Sequence, residues 1–310
     1  EEQMRAWQRI VDFVHAESAA RFCLQIGHAG RKGSTQLGWQ QADHPLPAGN
    51  WPLCAPSALP YLPGISQTPK VMDDTDMQRI TADFAGAARR GHEAGFDMLE
   101  LHMAHGYLLA SFLSPLTNHR TDEFGGSVQN RVRFPLQVLA AVRAAWPAHK
   151  PLSVRLSACD WAPQGLSEAD LLAIARALTD AGADILGIST GQTVPTQRPV
   201  YGRMYQTPFS DLVRNTLQVP TIAVGNIYEA DHVNSIIASG RADLCAVARP
   251  HLVNPAWTLM EAARLGSAGD DVPWPVQYLS GRDQLVRLLE RERATGAAAA
   301  VDRELRALGV

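Results

Sequence analysis

The stretch Asp97–Arg131, DMLELHMAHGYLLASFLSPLTNHRTDEFGGSVQNR, decides how the rest of the chain is read. It opens as an apolar run of strand length and breaks at His105-Gly106. Side chains alternate across a strand, so Leu99 and Leu101 share one face while Met98, Glu100 and His102 share the other. An aliphatic outer face with a polar inner tip describes a barrel strand near its functional mouth. His102, His105 and Tyr107 then bring two imidazoles and a phenol together just past the strand end. Three polar rings at one strand end make candidate site residues.

Outward from this block the chain alternates strand and helix. Residues 4 to 17 place Met4, Trp7, Ile10, Val11 and Val14 at helical spacing. A strand over 22–27 follows, with Gln25 on the face of Cys23 and Gly27, and then a long loop rich in Pro, Gly and Trp from about His28 to Val71. A loop of that length is usually a functional lid or a disordered segment, and Trp39, Trp51 and Tyr61 favour an ordered lid. A helix over 73–94, a helix over 131–146 and a strand over 152–157 come next, the last carrying Ser153, Arg155 and Ser157 on its polar face. The pattern continues with strands over 184–189, 221–224 and 243–248 and helices over 211–217, 229–239 and 255–265. Regular alternation without a composition break implies a parallel sheet. Residues 1–266 read as one domain of six strand-helix units and 267–310 as a C-terminal extension. There an extended segment over 273–279 precedes a helix over 280–292 and a short charged helix ending near Gly309.

The pieces His102–Tyr107, Phe112–Asn118, Arg120–Ser127 and Asn130-Arg131 resemble the Old Yellow Enzyme family of flavin-dependent ene-reductases. The resemblance runs from about residue 5 to residue 265. Through Gly49–Leu53 and Tyr201–Met204 it is most similar to the reductase half of bifunctional aminobenzoyl-CoA and salicyloyl-CoA hydroxylase/reductases. It implies a (β/α)8 TIM barrel that in this chain lacks its first two strands, with six units where a closed barrel needs eight. The chain opens at Glu1 rather than Met, directly in a helix, and so reads as a piece of something longer.

Polar groups at strand ends collect the candidate site: Gln25, His102, Arg155, and the turns Gly225-Asn226 and Ala248-Arg249. Small-residue turns with an arginine, placed after the last two strands, suit a phosphate. The resemblance implies FMN, with Gln25 on its pyrimidine edge, Arg155 near its N1–C2 carbonyl, and Ala248 and Arg249 on its phosphate. It further implies that NAD(P)H reduces the flavin, which then passes hydride to an activated alkene. His102 and His105 would both donate to the substrate oxygen, Tyr107 would stand in the proton donor's place, and Tyr201 or Arg203 would close the pocket. The implied substrate is a small molecule, an aryl-CoA-derived dearomatised ring, with a fused or separate flavin monooxygenase as partner and a role in aromatic compound degradation. Relatives also imply pairing of copies through C-terminal regions. Asn118, Arg120, Asp122 and Arg131 read as structural, held by ion pairs, and the inward Glu100 has no partner the sequence identifies.

Composition limits the alternatives. The chain has 310 residues, 46% hydrophobic and 19% charged, enough for a large core, and a net charge of −3 that supplies no nucleic-acid surface. No apolar run of membrane length and no signal peptide occur, and the four cysteines are scattered with no CxxC pair, which fits a reducing cytoplasm. A zinc hydrolase is one rival, through HxxH. On a strand end, though, that spacing does not put two imidazoles on one face, and no metal is expected. A non-catalytic barrel with a structural or partner-docking role is the other.

Overall fold

Alternation governs the strand Met98–Met103, whose Leu99, Leu101 and Met103 are fully buried while Met98, Glu100 and His102 are partly exposed. In the computed structural model, which describes residues 1–269 and 272–307 with side chains as far as 296, eight strands can be numbered. They are β1 Cys23–Ile26, β2 Cys54–Ala55, β3 Lys70–Val71, β4 Met98–Met103, β5 Leu152–Ser157, β6 Ile185–Ser189, β7 Thr221–Val224 and β8 Leu244–Ala246. Six form one sheet in the order β1-β4-β5-β6-β7-β8, and β2 pairs with β3 separately inside the long loop. The registered neighbours in the large sheet, from β1 to β7, are parallel, as the strand-helix alternation requires.

Register stacks the inner face into rungs. Gln25, Glu100 and Ser153 lie side by side, and on the next rung His102, Arg155, Gly187 and Ile222 do the same. The opposite faces of β4 and β5 carry Leu99, Leu101, Leu152, Val154 and Leu156 into a core with Phe84, Phe134, Val138 and Leu139 from the helices. Burial of such aliphatic side chains, about 1.5–3 kcal/mol each, is the main driving force for this layer.

The chain divides into two compact units, Glu1–Asn226 with Ile236–Cys245, and Ile227–Ser235 with Ala246–Val310. In the first, the helix Asp74–Glu93 starts at a capping box in which Asp73 accepts from Asp76 N and Asp76 from Asp73 N. The helix Glu2–Glu17 differs from its expected face: Val11 alone is fully buried, while Trp7 and Ile10 are 44% and 45% exposed. The helix Thr207–Leu217 starts four residues earlier than the pattern over 211–217 suggests, with Pro208 fitting its first turn.

In the second unit, Glu261 accepts from Ala230 N at 2.8 Å and from Arg264 Nη1 at 2.7 Å, and Trp257 Nε1 donates to Tyr228 O. Its C-terminal region departs from expectation. A 3-10 turn, Val276–Tyr278, replaces the extended segment and leads into a single helix, Leu279–Ala307, where the sequence pattern suggests two. Gly296 lies inside that helix; an interior glycine costs about 1 kcal/mol, too little to break a run of good helix formers. The expected end near Gly309 lies outside the described residues.

Candidate functional site

At the end of β4 the chain makes an unusual turn. His105 adopts a left-handed conformation (φ 61°) and Gly106 follows at φ 69°. A Cβ on Gly106 would fall 2.6 Å from Gln192 O and 2.8 Å from Thr193 Cα, so only glycine passes between the β4 and β6 loops. The turn overrides the spacing argument. HxxH on an extended strand would separate the imidazoles, but here their ring centres lie 5.1 Å apart, and the Tyr107 ring stands 5.1 Å from that of His102.

The hydrogen bonds fix the tautomers. Ala104 N–H donates to His102 Nδ1 at 3.1 Å, so this nitrogen is unprotonated and a neutral His102 carries its proton on Nε2. His102 Nε2 lies 3.3 Å from His105 Nδ1 and donates to it, leaving His105 with its own proton on Nε2. In this arrangement His102 spends its N–H on His105. Burial, then the charges of Arg155 and Lys32, holds His102 down at about 4. Burial, then His102 and the same two cations, takes His105 to about 3. Both rings are neutral donors and acceptors near neutral pH. Among the described residues no group of three or more His, Cys, Asp or Glu is placed to hold a metal ion.

Glu100 has partners that the sequence did not reveal. Its Oε1 accepts from Gln25 Nε2 at 2.6 Å and its Oε2 from Ser153 Oγ at 2.9 Å, both along one rung of the sheet. With its amide N–H turned to Glu100, Gln25 has its carbonyl oxygen available as an acceptor. On the next rung Arg155 Nη2 donates to Ser189 Oγ at 2.9 Å, while the buried Arg155 Nε has no partner among the described residues. A Cβ on Gly187 would lie 3.0 Å from Arg155 Cδ and 3.1 Å from Glu100 Oε2, so glycine there leaves room for both side chains.

The remaining expected residues sit on other elements. Gly225 (φ 107°) and Asn226 (φ 54°) form the turn after β7; a Cβ on Gly225 would strike Gln206, and Asn226 Nδ2 donates to Gly202 O at 2.8 Å. Ala248 and Arg249 belong to the second unit, where Ala248 precedes the short helix Arg249–Val253 rather than ending a strand. Tyr201 is 72% exposed with its ring edge-on to Tyr205, and Arg203 is exposed as well.

Sequence reading missed Arg31 and Lys32. Both are buried on the 3-10 turn Gly30–Lys32, with Lys32 Nζ 4.4 Å from the centre of the Tyr61 ring and 5.4 Å from that of Tyr107. A basic doublet in a polar loop reads as surface, and only the flanking Gly30 and Gly33 hinted at a tight approach.

Known proteins share this chain's sequence pattern and fold. The sequence model of the NADH:flavin oxidoreductase / NADH oxidase family matches residues 1–265. The NADPH dehydrogenase of Geobacillus sp. (strain WCH70) is 39% identical over 265 residues, spanning 86% of this chain and 72% of its own. That of Bacillus subtilis (strain 168) is 35% identical over 281 residues, spanning 91% and 77%. Among solved structures, morphinone reductase superposes with a TM-score of 0.67 at 29% identity, over 86% of this chain and 71% of that one. A 2-naphthoyl-CoA reductase complex shares the fold at 23% identity and a TM-score of 0.73, and the chain spans 41% of its length.

Proposed function

The chain belongs to the NADH:flavin oxidoreductase / NADH oxidase family, an NAD(P)H-dependent flavoenzyme using FMN, and from this we propose that it reduces activated alkenes. The observation that carries the proposal is the neutral His102–His105 pair, with one imidazole N–H, that of His105 Nε2, left over, and the Tyr107 ring 5.1 Å from that of His102. A preorganised neutral donor at a strand end suits the carbonyl oxygen of an α,β-unsaturated substrate, where negative charge develops as the double bond is reduced.

The residues present fit FMN. The buried, partnerless Arg155 Nε is a donor in want of an acceptor, and its fixed charge suits an anionic reduced ring. The Gln25 carbonyl, set by Glu100, suits a ring N–H. We assign Gln25 and Arg155 to the flavin edge, and Ala248 and Arg249 keep the phosphate role that the family resemblance implies. When bound, FMN supplies the hydride relay between NAD(P)H and substrate. His105 orients and polarises the substrate carbonyl, His102 fixes the tautomer of His105, and Tyr107 supplies the proton at the carbon next to that carbonyl.

The substrate class we favour is an acyl-CoA bearing a dearomatised ring. Its support is the sequence resemblance at Gly49–Leu53 and Tyr201–Met204, together with the order of the lid. Asn50 Oδ1 accepts from Ser34 Oγ, Leu46 N and Gln67 Nε2 and so gathers that loop at one point. A partner flavin monooxygenase and a homo-oligomer belong to the same proposal. The test is anaerobic. Purified chain loaded with FMN should bleach on adding NADPH and regain its colour on adding 2-cyclohexenone. Protein that takes up no FMN, or bleaches but is never reoxidised by an enone, would overturn the reading.

A further inference from the structure

We infer that Lys32 is a positioning residue for His105, acting with Arg31 as a pair of buried cations that fastens three loops together around the imidazole. The inference rests on the proposed function only in calling His105 the substrate donor.

Lys32 and Arg31 are 9% and 4% exposed. Lys32 Nζ donates to His105 O at 3.3 Å and to Gln192 O at 3.2 Å. Arg31 Nη1 donates to Leu59 O at 3.3 Å and Nη2 to Thr193 O at 2.5 Å. Four backbone carbonyls thus converge on two adjacent cations, from the lid, the β4 loop and the β6 loop. Among the described residues, neither cation has a carboxylate within ion-pair distance of 4.0 Å. Burying charge is costly unless polar groups surround it. Here carbonyl dipoles and the face of Tyr61 do so, and charge-assisted bonds of this kind are about twice as strong as neutral ones.

The geometry explains why the charge sits at this point. A left-handed residue other than glycine is strained and needs its surroundings to hold it. His105 is held on both sides of its Cα, its N–H donating to Ser157 Oγ at 2.9 Å and its carbonyl accepting from Lys32. With both peptide groups pinned, the Cβ direction is fixed, and so is the ring's reach to His102. Gly30 makes the approach feasible: a Cβ there would lie 2.9 Å from Leu108 N and Cα, at the start of the helix following Tyr107.

The test uses the full chain with Lys32→Met, which keeps length without charge, and Lys32→Arg, which keeps charge. Amide hydrogen exchange in 104–108 and 190–194 should rise about tenfold in Lys32→Met, as expected for a local loss near 1.4 kcal/mol. Residues 98–103 and 152–157 should stay protected, and Lys32→Arg should recover most of the protection. Side-chain nitrogen NMR should show His105 protonated on Nε2 in the parent and as a tautomer mixture in Lys32→Met. Should Lys32→Met fail to fold, Tyr61→Leu, which strips only the π face, should show the same local pattern more weakly. Unchanged exchange in both segments, an equal rise across the sheet, or an unaltered His105 tautomer would overturn the inference. These readings need no turnover, so an inactive chain would sink the proposed function and leave this question decided separately.

Discussion

His105 Nδ1 lies 3.3 Å from His102 Nε2, and because Ala104 N–H occupies His102 Nδ1, the proton between the rings belongs to His102. One imidazole therefore acts through the other. His102→Ala should leave the His105 tautomer unset, whereas His105→Ala should free the His102 N–H to face substrate. Each variant should weaken binding of 4-nitrophenol to the FMN-loaded chain by about tenfold, one hydrogen bond's worth. The double variant should lose clearly less than the product of the two. Strict additivity in the double-mutant cycle would show that the rings act independently.

Acid should destabilise the protein through the same pair. Both rings have folded values, about 4 and about 3, below their ordinary 6.5. Above that ordinary value neither state binds the extra protons. As pH falls below it the unfolded chain takes them up first, so stability drops until the folded values are passed. The urea midpoint should fall between about pH 6.5 and about pH 4, and a His102→Gln, His105→Gln variant should show a shallower fall. An identical slope in the variant would remove these residues from the account.

Arg155 should matter to the flavin more than to the fold. Arg155→Gln removes the buried Nε and its charge while keeping a polar group near Ser189. FMN affinity should drop by about tenfold or more, and the potential of the bound flavin should move negative, since less positive charge faces the reduced ring. Titration of flavin fluorescence and a dye-coupled potential measurement give both numbers. A potential equal to that of the parent would place Arg155 elsewhere than at the flavin edge.

Glu100→Gln tests the rung below. The variant forces an amide to face the Gln25 amide, and either Gln25 flips or one N–H is left unpaired. A stability loss of about 1–2 kcal/mol is expected, with weaker FMN binding from the misdirected Gln25 carbonyl. Denaturation that matches the parent, with unchanged FMN affinity, would show that the carboxylate does not set Gln25.

The β4 alternation tells which side chains point in, because a strand has only two faces and the aliphatic set must be buried. That rule alone turns Glu100 and His102 inward on β4, and Ser153 and Arg155 likewise on β5. Register is not legible in the same way, since nothing local to Gln25 or Ser153 says that both stand beside Glu100. Arg120 and Asp122 pair within their own loop, as short-range charges can announce. Arg131 instead finds Asp170 on a helix 39 residues away.

What the sequence determined by itself was the layer pattern, strand and helix in alternation with one polar face at the strand ends, because periodicity of burial is a property of neighbouring residues. Tertiary structure alone decided that His105 would turn left-handed onto His102, and that Arg31 and Lys32 would be buried rather than solvated. The carbonyls and Gly106 contact that hold those conformations come from loops after β4 and β6, far along the chain from the Gly30–Lys32 turn. Their free energy exists only once the sheet has set those loops side by side.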